Sequence, residues 1–233
     1  MSAVDLVGLR SVAGQLDRLG IYYAFTGGEE VGFLLDGPEV VNLRPTDDLD
    51  AITAVTSYGQ QTEMEAMLRD LDFTHDLSEG APTCRFLYEG IKVDVMPVRD
   101  QTGRFDSPWF ELALASSGNR TLEGVTVRTV DAPGFVATKL AAFDDRSGGD
   151  MYSHDLEDII TVVDGRNSLL GELQEADPKL RRFVSGRVEQ LMADENFRDA
   201  LPGHLLPDTA SQARLPALLR TLEAIAMLED RSS

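Results

Sequence analysis

Three aspartates set into short apolar runs constrain this chain more than any other feature. The stretches are Tyr22-Tyr23-Ala24-Phe25-Thr26-Gly27-Gly28, then Arg44-Pro45-Thr46-Asp47-Asp48-Leu49-Asp50-Ala51-Ile52, then Ile91-Lys92-Val93-Asp94-Val95-Met96. Side chains of an extended strand alternate between faces, so Asp48 and Asp50 share one face while Leu49 and Ala51 turn into the core. Asp94 sits in a second alternation, opposite Ile91, Val93 and Val95. If the two strands are neighbours, three carboxylates converge, and their repulsion is too costly unless cations lie between them. Oxygen donors of this kind suit Mg²⁺ or Mn²⁺ carrying substrate phosphates. The residues alone also admit a plainer reading, with Asp48 in an acidic turn and Asp94 on a strand surface.

Gly27-Gly28 ends a β-rich run and opens a helix. At such a point backbone N–H groups and the helix dipole favour an anion, and glycine lets the backbone approach a triphosphate closely. Most glycine pairs are simple turns; here the pair stands twenty residues before Asp48. Two ions about 3.5–4 Å apart can activate an attacking hydroxyl and steady a leaving pyrophosphate. In that scheme Asp48 and Asp50 bridge both ions, while Asp94 holds the ion near the nucleophile and helps take its proton. The substrate is then an NTP.

Elsewhere the pattern predicts an α/β (α+β) fold. Leu6, Leu9, Val12 and Leu16 give residues 4–19 helical spacing, stopped by Gly20. Strands are expected over 21–25, 49–55, 73–75, 84–88, 91–96 and 125–130, with Glu89-Gly90 closing a hairpin. Short helices are expected over 29–35, before the turn Asp36-Gly37-Pro38, and over 63–71. After Asp131-Ala132-Pro133 strand signals stop. Helical spacing then runs through Val136, Leu140 and Phe143, through Leu156, Ile159 and Ile160, and through later segments to Ile225. The expected plan is an α/β domain over 1–132 and a helical domain over 133–233.

Composition narrows the function less than the motifs do. An apolar content of 42% in 233 residues is ample for a core. No apolar run approaches the roughly 20 residues that span a bilayer. The single cysteine, Cys84, cannot form an internal disulfide, and a reducing cytoplasm is the expected location. With 21 basic and 40 acidic residues the formal net charge is −19, which slows any encounter with nucleic acid. Arg181, Arg182 and Arg187 could form a local basic patch, so RNA, a protein or a small molecule all stay open as the acceptor.

Thr26-Gly27-Gly28, Arg44-x-Thr46-x-Asp48-Leu49-Asp50 and Val93-Asp94-Val95 together resemble the core motifs of the DNA-polymerase-β-like nucleotidyltransferase superfamily. Lys139-Leu140-x-Ala142-Phe143-x-x-Arg146 and His154-Asp155-Leu156-Glu157-Asp158-Ile159-Ile160 resemble the helical signature of its AbiEii/AbiGii branch. That branch includes toxins of type IV toxin–antitoxin systems and MenT-like toxins that add nucleotides to tRNA acceptor ends. The resemblance covers roughly residues 20–165. It implies a mixed β-sheet core with flanking helices and a helical domain after it. It also implies a metal-dependent enzyme that moves an NMP to RNA, protein or a small molecule, with a possible antitoxin partner. Carried over by position, Thr26, Gly27, Gly28 and Arg44 would meet the nucleotide. Lys139 would meet its phosphates, and Asp155 or Asp158 would support the site. One departure stands out. The family places a small polar residue after the glycines, and here Glu29-Glu30 follows instead. A non-catalytic nucleotide-binding or interaction protein on the same fold is therefore the competing expectation.

Overall fold

The computed structural model describes residues 6–36, 46–99 and 107–228. Arg44 and the turn at Gly37-Pro38 lie outside the described residues. In chain order the first elements are α1 (Leu6–Leu16), β1 (Tyr23–Thr26), α2 (Val31–Leu34), β2 (Asp48–Thr53) and α3 (Tyr58–Asp70). Next come β3 (Thr74–His75), β4 (Arg85–Tyr88), β5 (Ile91–Pro97), α4 (Phe110–Ala115), β6 (Gly118–Leu122) and β7 (Val125–Thr129). Helices follow: α5 (Ala132–Arg146), α6 (His154–Gly165), α7 (Leu169–Glu175), α8 (Pro178–Ala193), α9 (Glu195–Ala200), α10 (Thr209–Gln212) and α11 (Leu215–Ala226). The chain divides into two compact units, one within Met1–Phe33 and Arg44–Asp131, the other within Leu34–Leu43 and Ala132–Ser233.

The first unit is built on one mixed sheet of order β3-β4-β5-β2-β1-β7-β6. β2 runs parallel to β5 and antiparallel to β1, and β4 pairs antiparallel with β5. One face of the sheet carries Tyr23, Phe25, Leu49, Ala51, Phe86, Tyr88, Val93 and Val95, all buried in a single core with Leu9, Val12 and Leu16 of α1 and Met64 and Leu68 of α3. The strict alternation read from the sequence is thus the division between this apolar face and the polar one. α1 runs on into a 3₁₀ turn, Asp17–Leu19, which stops as expected at Gly20, whose φ of 66° is the left-handed conformation glycine adopts without strain.

Two hairpins share one turn. Glu89 and Gly90 have φ of 50° and 84°, and Glu123 and Gly124 have φ of 49° and 80°. Positive φ at both central residues is the type I′ geometry that matches strand twist. The second of these turns joins β6 to β7, so the sheet gains a strand that residue alternation did not announce.

The second unit is helical. α5 is buried along most of its length, including Val136, Leu140 and Phe143, and Leu156, Ile159, Ile160 and Val163 form the buried stripe of α6. Ser153 caps α6 by accepting from the Leu156 amide, and Asp177 caps α8 by accepting from Lys179. The Ser185 hydroxyl of α8 donates to the Ala226 carbonyl of α11 at 2.9 Å. No helix among the described residues is long and apolar enough to cross a membrane.

Candidate active site

Register, more than sequence distance, assembles the polar face of the sheet. Thr26 stands opposite Asp50 across β1 and β2, Asp50 opposite Asp94 across β2 and β5, and Asp94 opposite Arg85 across β5 and β4. These four residues form one row across four strands, on strands spaced about 4.8 Å apart. Asp48 lies two residues along β2 on the same face, opposite Lys92. The structure therefore brings Thr26, Asp48, Asp50 and Asp94 together, and adds Arg85.

Gly27 is what lets Asp50 take its place. A β-carbon at Gly27 would lie 2.2 Å from the Asp50 Oδ2. The backbone there has φ 103° and ψ −173°, a region open essentially to glycine alone. The turn continues as a short 3₁₀ segment, Gly28–Glu30, that runs into α2.

Glu29 and Glu30, the acids that depart from the family pattern, are both turned to other uses. The buried Thr46 hydroxyl donates to the Glu29 carboxylate, tying the glycine turn to the segment that enters β2. Glu30 is only 2% exposed and lines a cavity of about 10 Å³ whose walls include Leu9, Phe25, Phe33 and Thr129 and, from the polar row, Thr26 and Asp50. Burial pushes its carboxyl well above the ordinary range, and Thr129, Arg120 and the Val130 amide moderate the shift. None of them reaches hydrogen-bond geometry with either carboxyl oxygen.

Arg85 dominates the electrostatics of the row. Its Nε donates to Asp94 Oδ1 at 2.7 Å, and its Nη2 donates to Asp94 Oδ2 and to Asp48 Oδ2, each at 2.7 Å. A guanidinium fork on a carboxylate is the strongest of the common side-chain pairings. The hydrogen bonds to Asp94 raise the arginine's own pKa further, so the charge is permanent. Opposed carboxylates such as Asp50 and Asp94 repel each other, and Arg85 supplies a compensating cation. Cys84, beside it, is 7% exposed, and burial followed by the charges of Asp94 and Asp50 pushes its thiol up to about 12.

The donor set fits a hard divalent cation in kind, because it offers carboxylate oxygens on one face. Among the described residues, however, no group of three or more His, Cys, Asp or Glu side chains is arranged to hold a metal ion. With Arg85 drawn against Asp48 and Asp94, the three carboxylates do not converge on one point.

In the helical unit, Lys139 is buried and its Nζ donates to Asp158 Oδ2 at 2.7 Å and Asp155 Oδ1 at 3.3 Å. Arg146 donates from Nε and Nη2 to the two Asp155 oxygens at 2.8 and 2.7 Å. Burial alone would raise the Asp155 pKa, but the hydrogen bonds of Arg146 and the charge of Lys139 hold it below the ordinary carboxylate value. The residues of both helical motifs thus meet in one ion cluster between α5 and α6. Of the basic candidates, Arg187 pairs with Asp144 and Arg181 donates to the Gln174 carbonyl.

No family model matches this chain, and no curated protein does. Solved structures do share its architecture. An antigenic nucleotidyltransferase-like protein from Paracoccidioides brasiliensis superposes with a TM-score of 0.52 at 19% identity, over 86% of this chain and 94% of that one. The antibiotic-resistance factor ANT(2″)-Ia gives 0.51 at 15% identity, over 83% and 96% of the two chains. Its complex with adenylyl-2″-tobramycin gives 0.51 at 13% identity, over 79% and 97%. The fold is that of the nucleotidyltransferases. On a nucleotidyltransferase fold, the row from Thr26 to Arg85 was only partly visible in advance. Arg85 escaped residue reading, although a signal for it existed. The Glu89-Gly90 turn fixes Tyr88 opposite Ile91, and counting outward places Arg85 opposite Asp94.

Proposed function

We propose that this chain is a metal-dependent nucleotidyltransferase that moves an NMP from an NTP to a hydroxyl acceptor and releases pyrophosphate. The observation that carries the reading is the register of Asp50 with Asp94 on adjacent parallel strands, with Asp48 on the same face and Gly27 cleared of side chain for Asp50. Asp48 and Asp50 would hold divalent ions, Mg²⁺ or Mn²⁺, with Asp94 completing the set. Such ions, when bound, offset charge on the phosphates and favour the hydroxyl's ionisation.

The chain's own groups supply the rest. Thr26, Gly27 and Gly28 present a hydroxyl and backbone N–H groups to the phosphates, a role Arg44 shares. Asp94 accepts the proton of the attacking hydroxyl. In the helical domain, Lys139, held by Asp155 and Asp158, is the residue we assign to phosphate contact. Positioning and fixed positive charge are most of what an in-line displacement needs.

For the acceptor, a net charge of −19 opposes an encounter with RNA and suits a cationic small molecule. ANT(2″)-Ia, on the same fold, has been solved with an adenylylated small molecule, adenylyl-2″-tobramycin. RNA, including tRNA ends, or a protein side chain would instead accord with the toxin branch and an antitoxin partner. Incubation with each α-labelled NTP, Mg²⁺ and, separately, hydroxyl-bearing amines, total RNA and protein extract tests the reading. Label should enter one pool with wild type and none with Asp48→Ala. No label anywhere, under Mg²⁺ or Mn²⁺, would overturn it. Growth arrest on expression, relieved by Asp50→Ala, tests the toxin role. The second reading, a non-catalytic nucleotide-binding protein, is favoured by one observation, the engagement of Asp48 and Asp94 by Arg85.

A further inference from the structure

Arg85 is the first residue of β4 and its backbone is anchored on both sides. Its amide donates to the Pro82 carbonyl at 3.0 Å, and its carbonyl accepts from the Asp76 amide at 3.1 Å. The carbonyl of the preceding residue, Cys84, accepts from Val95 of β5 at 2.9 Å. Any change at this position is therefore a swing of the side chain and not of the strand. That side chain spans two strand spacings, from β4 across Asp94 to Asp48 on β2. A pair meant only to join β4 to β5 would end at Asp94.

Both Asp94 oxygens and one Asp48 oxygen accept from this single guanidinium. These are oxygens that a divalent cation on the same carboxylates would use, and a cation there would be repelled by the charge already present. The Arg85 side chain is 16% exposed, that of Asp94 10% and that of Asp48 35%. The open end of the cluster is thus Asp48, where the guanidinium holds one bond and not two.

We infer that Arg85 is a positioning residue of the carboxylate site that holds Asp48 and Asp94 together and competes with divalent cation for their oxygens. The inference rests on the proposed nucleotidyltransferase reading. Ion binding requires Arg85 to release its single bond to Asp48 and to loosen its two-pronged hold on Asp94. Arg85 thereby sets the cation concentration at which the site is complete.

The test is Mn²⁺ binding to the nucleotide-free full chain, followed by electron paramagnetic resonance and by calorimetry, for wild type, Arg85→Gln and Arg85→Lys. Arg85→Gln should bind Mn²⁺ at least about tenfold more tightly than wild type, the factor that corresponds to one charge-assisted hydrogen bond no longer displaced. Arg85→Lys keeps the charge without the fork and should fall between the two. A damaged fold would weaken binding, so tightening separates competition from a merely structural role. If circular dichroism shows Arg85→Gln unfolded, Arg85→Lys alone decides, again by tighter binding than wild type. Equal or weaker Mn²⁺ affinity in a folded variant overturns the inference and leaves the nucleotidyltransferase reading in place. No Mn²⁺ binding by any of the three proteins overturns both.

Discussion

Asp94 and Arg85 face each other directly across the β4–β5 hairpin, joined by two parallel hydrogen bonds of 2.7 Å. The pairing gives the candidate site a cation of its own and links the fold's stability to its chemistry. Breaking one partner of a part-buried pair leaves the other uncompensated, at a cost of about 3–5 kcal/mol for a fully buried pair and less for one as open as this. Asp94→Ala should therefore lower stability by more than Asp48→Ala, whose carboxylate is more exposed. Urea unfolding of the two variants checks the order; the reverse order would contradict it.

Gly27→Ala should be damaging on two counts. The added methyl would meet Asp50 Oδ2 at 2.2 Å, and the backbone would be held in a glycine-only conformation. The backbone strain alone is worth about 1–3 kcal/mol. Chemical denaturation should show at least that loss, and nucleotide transfer should fall with it. Gly14→Ala, with open space around its β-carbon, is the control and should fold as wild type.

The pH dependence of two buried acids runs in opposite senses. Asp155 has a folded pKa below its ordinary value of 3.8, so it stabilises the fold above that pH. The contribution is lost as pH falls through the depressed folded value. The stability difference between wild type and Asp155→Asn should be full at neutral pH and shrink below pH 3.8, measured by thermal melts across the acid range.

Glu30 has a folded pKa raised well above 4.5, so the fold prefers its protonated form. Its presence is harmless below that value and costs stability as pH rises towards the folded pKa. Glu30→Gln should leave the melting temperature unchanged near pH 4 and raise it at pH 8. A fall at pH 8 would mean that the carboxylate is charged and needed beside Arg120.

Much of this site could be read before the fold was known, for reasons that follow from strand geometry. Asp48 and Asp50 share a face because a strand alternates, and Asp94 lies on that face because β2 and β5 are adjacent. The glycine turn carried its own signal. Three things were hidden. Arg85 lies nine residues from Asp94 in sequence and meets it only through hairpin register. β6 went unseen because Gly118-Asn119-Arg120-Thr121-Leu122 lacks an apolar alternation, although Glu123-Gly124 repeats the turn that announced the β4–β5 hairpin. The fate of Glu29 and Glu30 depends on Thr46 and on a core cavity, neither of which local sequence reveals. Lys139, Asp155 and Asp158 were separate motifs in the sequence and are one ion cluster in the folded chain.

The most direct test of the central claim uses one NTP labelled at either the α or the γ phosphate, with Mg²⁺ and the acceptor pool that takes label. Wild type should place the α label on the acceptor and release the γ label in pyrophosphate, and Asp50→Asn should do neither. Transfer of the γ label, or α labelling by Asp50→Asn at the wild-type rate, would contradict the assignment of Asp48, Asp50 and Asp94 as the carboxylates of a nucleotidyltransferase.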